Sequence, residues 1–69
     1  MKKIKIENMA TYTINNMYAN AYENAIENVI KELNERLKLN LTYRDDFYEV
    51  QILAESLGIR FDKNGKIVK

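Results

Sequence analysis

Residues 42–68 read TYRDDFYEVQILAESLGIRFDKNGKIV, and they contain one complete helix with its start and stop signals, then a hairpin. Thr42 followed three residues later by Asp45 has the form of a capping box. Asp45 and Asp46 also place negative charge at the positive end of a helix. The spacing predicts a helix over 43–57, with Gly58 as the left-handed residue that ends it and Ile59 folding back on the last turn. Beyond the stop, Ile59 and Phe61 alternate inward, Asp62-Lys63-Asn64-Gly65 forms a turn, and Ile67 returns along a second strand.

Working back toward the start, residues 16–38 carry a strong helical period. At ~100° per residue, Tyr18, Tyr22, Ala25, Ile26, Val29, Ile30, Leu33 and Leu37 share one broad face. Asn15 would interrupt that face, so it is placed just outside as the N-cap. Before it, TYTI at 11–14 and KKIKI at 2–6 alternate polar and apolar residues, and residues 2–14 are read as a hairpin in preference to the competing reading, in which the long helix starts near Tyr12. Pairing the two ends of the chain gives an α+β domain. In it a small antiparallel sheet, formed by the chain ends, carries two helices on one face, in the order ββααββ or βααββ.

The chain has 69 residues, no Cys and no His. That length supports one compact domain, residues 1–69, of which folding buries only roughly 60% of the unfolded surface. Chains this small usually rely on a disulfide, a metal or a partner. Without Cys or His, good core packing or burial against a partner remains, and histidine acid–base chemistry and common zinc sites are excluded. No cofactor is expected. No run approaches the ~20 apolar residues that span a bilayer, and none behind the basic start resembles a signal peptide, so a soluble, cytoplasmic protein with no membrane partner is expected.

Net charge is +1, but it is sorted along the chain. Residues 1–6 carry three lysines and no acid, residues 7–57 hold four Lys/Arg against nine Asp/Glu, and residues 58–69 are basic again. Separated fields of this kind act on association more than on fold.

The polar face of the first helix carries Asn16, Asn20, Asn24 and Asn28, one every fourth residue. An amphipathic helix needs a polar face, and the nine Asn, with many Ile and Lys, fit an AT-rich coding sequence. The ladder is therefore read as a solvated face.

In the second helix, Tyr43, Phe47, Val50, Leu53, Ala54 and Leu57 make one apolar face. Tyr48 and Ile52 lie on the opposite side. The tight closure of a small core favours a helix wedged between sheet and first helix, burying both sides. The functional alternative is an exposed Tyr48/Ile52 pair ringed by Arg44, Gln51 and Glu55, an anchor for a protein partner or a second copy of the chain. Tyr18 and Tyr22, on the stripe of the first helix, are expected in the core.

Lys3, Lys5, Arg60 and Lys66 fall at outward positions of the expected sheet. They suit weak, salt-sensitive nucleic-acid binding, or simply edge lysines that discourage aggregation. Sheet-type single-strand binders stack bases on aromatics, and these positions carry none. There is no Gly-rich phosphate loop and no nucleophile elbow, and Asp45, Asp46 and Glu49 are explained by helix-start electrostatics. The chain is not expected to be an enzyme.

The stretch FYEVQILAESLGIRFDKNGKIVK, residues 47–69, resembles the tails of small accessory proteins encoded by phages of low-GC bacteria, in which a final helix runs through a Gly into a DKNG-type hairpin. The resemblance covers the last third of the chain. Such proteins, anti-CRISPR inhibitors among them, are single domains that occlude a larger host machine. The resemblance implies a non-catalytic inhibitor or adaptor, and the glutamates of the two helices (Glu23, Glu27, Glu32, Glu35, Glu49 and Glu55) suit a partner with a basic, nucleic-acid-binding surface. No inhibitor motif is matched, so no functional residue is carried over.

Overall fold

The computed structural model describes residues 10–68. The strand expected at 2–6, with Lys3 and Lys5, lies outside the described residues. Within them a 3-10 turn, Ile14–Asn16, leads to helix α1, Ala19–Leu37; helix α2, Tyr43–Leu57, follows, then strands β1, Arg60–Phe61, and β2, Ile67–Val68.

The C-terminal half follows its local signals closely. Thr42 caps α2: its hydroxyl accepts from the Asp45 N–H at 3.3 Å, while its own N–H donates to an Asp46 carboxylate oxygen at 2.9 Å. At the other end Gly58 sits at φ 68°, and Ile59 N–H reaches back to the Ala54 carbonyl at 3.1 Å. This is the reach-back that satisfies carbonyls at a helix end. The turn is closed by Gly65 N–H donating to the Asp62 carbonyl at 3.0 Å and Asp62 N–H donating to the Lys66 carbonyl at 2.8 Å. Strands β1 and β2 then pair antiparallel, Arg60 opposite Val68 and Phe61 opposite Ile67.

The N-terminal half departs from its signals. Of TYTI, only Tyr12 joins the sheet, exchanging two 2.9 Å backbone hydrogen bonds with Phe61 on the side away from β2. The chain then coils into the 3-10 turn. With three residues per turn, Ile14 and Met17 point the same way, and both are buried. They take the place in the core that the helical pattern assigned to Tyr18, which is instead 75% exposed. Asn15 does not cap α1; its side-chain amide donates to Glu55 at 2.8 Å. The position before α1 is held by Tyr18 with no side-chain cap, and Ala19 enters the helix at φ 53°.

Helix α1 is the central element. It packs on α2, on the 3-10 turn and on β2, and α2 packs on α1 and the 3-10 turn. The core is Ile14, Met17, Ala25, Ile26, Val29, Ile30, Val50, Ala54 and Phe61. Phe61, fully buried, is paired on both sides, so the sheet is anchored through one aromatic side chain whose removal typically costs ~3–5 kcal/mol. The connection between helices is clamped by Asn34, which accepts from Leu41 N–H at 2.9 Å and donates to the Leu41 carbonyl at 3.1 Å.

Candidate protein-interaction surface

Helix α2 is not wedged between two layers. Val50 and Ala54 are buried against α1 and the 3-10 turn, whereas Tyr48 is 62% exposed and Ile52 47% exposed on the outer ridge. One turn apart on the same ridge, the two side chains form an apolar step beside Asp45 and Glu49. The core is closed by α1, the 3-10 turn and Phe61, so among the described residues nothing is left to cover the far side of α2.

The three residues expected to ring this pair have different fates. Arg44 is exposed. Gln51 is half-buried and accepts the Tyr22 hydroxyl at 2.6 Å. Glu55 accepts the Asn15 amide at 2.8 Å. Gln51 and Glu55 therefore tie α2 to α1 and to the 3-10 turn, and orient the ridge. Burial and the neighbouring Tyr43 raise the pKa of Tyr22, keeping its phenol a donor to Gln51.

The apolar face of α2 is also less covered than its pattern suggests. Phe47, which stacks on Tyr43 with ring centroids 5.5 Å apart, stays partly exposed, as do Leu53 and Leu57. Leu37, assigned to the stripe of α1, is exposed as well. Two short helices and a two-stranded hairpin have too little surface to bury every apolar position.

The asparagine ladder is not simply a wet face. Asn24 donates its amide to the Asn64 carbonyl at 3.2 Å and Asn28 donates to the Gly65 carbonyl at 2.8 Å. The hairpin turn lies on two rungs of the ladder, with Gly65 buried against α1. The signal that could have revealed this was the need of an otherwise isolated turn for donors to its outward carbonyls. Asn16 donates locally to Thr13 at 3.0 Å, and Asn20 is exposed.

Of the basic residues, Arg60 spends its guanidinium on Thr11, donating to the hydroxyl and to the carbonyl at 3.0 Å each. Lys66 is exposed. Asp62 beside them accepts Asn64 N–H at 2.8 Å and Lys66 N–H at 2.9 Å, and these backbone donors hold its carboxyl below the usual range. Among the described residues no helix is long and apolar enough to cross a membrane, and no group of three His, Cys, Asp or Glu is placed to hold a metal ion.

Taken together these elements define a small α+β domain, two helices with a C-terminal antiparallel hairpin. Comparison with protein-family models, with curated proteins and with solved structures finds no match for the chain.

Proposed function

We propose that this protein is a non-catalytic binding module that docks on a larger protein through the outer ridge of α2. The observation that carries the reading is the exposure of Tyr48 and Ile52 side by side on a helix that is otherwise anchored by Gln51 and Glu55. Aromatic side chains dominate the energetics of protein interfaces, and a rigid helix presents one at low entropic cost. Arg44, Asp45 and Glu49 flank the ridge, and the acidic stretch between residues 7 and 57 favours a partner surface with a basic rim. A basic rim of this kind is what a nucleic-acid-handling protein presents. The resemblance of residues 47–69 to phage accessory proteins makes an inhibitor or adaptor from a mobile element the specific form of the reading.

The test is capture from a lysate of the source cell or its host, with and without nuclease, using the full chain and Tyr48→Ala/Ile52→Ala. The reading requires one defined protein that survives nuclease and is lost with the double variant while its circular dichroism is unchanged. Recovery that vanishes with nuclease would transfer the function to the basic residues Lys3, Lys5, Arg60 and Lys66 as a small nucleic-acid-binding regulator.

A further inference from the structure

A second apolar surface lies on the flank of the helix pair, away from the Tyr48–Ile52 ridge. On α2, Leu53 and Ile52 point ~100° apart, and Glu49 and Ser56 project between them. The flank is built from Leu33 and Leu37 of α1, Leu53 and Leu57 of α2, and Leu39 of the connection. Leu57 is 63% and Leu37 59% exposed, so each stands out as a knob. Beside them open two hollows of about 170 and 260 Å³ that share Leu33 in their walls. A cavity of ~150 Å³ admits a benzene ring, so each hollow has room for a leucine side chain.

Knobs and holes on one face are what a two-fold symmetric contact needs, because each copy must offer both halves of the fit. The charges on this flank obey the same requirement. The hollow bordered by Leu37 and Leu39 has Glu49 on its wall, and the hollow bordered by Leu57 has Arg36 and Glu32. A two-fold axis passing near the shared Leu33 sets the Glu49 end of one copy against the Arg36 end of the other. Arg36 contacts Glu32 at 3.5 Å and is otherwise exposed, so its five-donor fork has room for a second carboxylate. A standard interface takes about 800 Å² from each partner, roughly a sixth of the 5037 Å² surface of this chain. The five leucines and the walls of the two hollows supply the apolar centre of such a contact.

We infer that the leucine flank is a homodimer interface, in which Leu37 and Leu57 of each copy enter the hollows of the other and Glu49 pairs with the second copy's Arg36. The Tyr48–Ile52 ridges remain free on the outside of the dimer, so the assembly is bivalent toward any partner that docks there.

Sedimentation equilibrium on the full chain, from micromolar to millimolar, reads the proposal directly. The expected mass is twice the 8.2 kDa of one chain. Leu57→Glu should abolish the dimer, and because Leu57 contributes little to the core the monomer should keep its helical circular dichroism. Glu49→Arg should weaken dimerisation about tenfold, a difference of ~1.4 kcal/mol, and Arg36→Glu added to it should restore the affinity. Tyr48→Ala/Ile52→Ala should leave the dimer intact, which separates this surface from the docking ridge. A chain that is monomeric throughout, as it would be if its own N-terminal residues covered the flank, overturns the proposal. So does a dimer indifferent to Leu57→Glu or to the charge exchange.

Discussion

Gly65→Ala should be among the most damaging single-atom changes available to this protein, and Gly58→Ala provides its control. Both glycines have positive φ, 88° at Gly65 and 68° at Gly58, so either alanine carries the ~1–2 kcal/mol penalty of left-handed backbone. Both also gain the same few tenths to ~1 kcal/mol from a less free unfolded chain. Only their surroundings differ. A Cβ at Gly58 has nothing within 4 Å, whereas one at Gly65 falls 2.5 Å from the Ala21 carbonyl oxygen, 2.8 Å from the Ala25 nitrogen and 2.8 Å from the Asn24 Cβ. Those atoms belong to the first half of α1 and cannot rotate away, so the hairpin must lift. Overpacking of this kind costs ~1–3 kcal/mol. Lifting also stretches the hydrogen bonds from Asn24 and Asn28, at ~1 kcal/mol each. The expected excess of Gly65→Ala over Gly58→Ala is about 3–5 kcal/mol, against a total stability of roughly 3–10 kcal/mol for a domain of this length. Urea unfolding followed by circular dichroism measures both. An excess below ~0.5 kcal/mol, with equal m-values, would refute the close packing of the turn on α1.

Two further substitutions probe the same docking. Asn28→Ala should destabilise by ~1 kcal/mol through the lost bond to Gly65, while Asn20→Ala should be neutral or stabilise by a few tenths through helix propensity; equal effects in chemical denaturation would return the ladder to a plain solvated face. Asp62 supplies a pH signature, because its backbone donors favour the carboxylate in the folded chain and lower its pKa. Its contribution is complete above the ordinary aspartate range and is lost as pH falls through the lowered value. Thermal unfolding of Asp62→Ala over that acidic interval should show a shallower pH dependence than the parent, and parallel curves would show that the turn carboxylate is not linked to folding.

The sequence by itself determined the elements whose signals are local. Thr42 with Asp45 and Asp46 starts α2, Gly58 stops it, and Asp62 to Gly65 makes the turn, because caps and tight turns are satisfied by atoms only a few residues away. The long apolar period of α1 was equally legible. Tertiary structure decided where that period yields. Ile14 and Met17, folded under by a 3-10 turn, fill the core ahead of α1, so Tyr18 is left outside and the helix begins at Ala19 without a side-chain cap. Periodicity names the apolar positions but does not count how much surface exists to cover them. The exposure of Tyr48, Ile52, Leu37 and Leu57 follows from that count, since one helix partner and one hairpin bury only the inner positions. The asparagines of α1 carry the same lesson: a polar face meets water until another segment of chain needs its donors, and here the hairpin turn does.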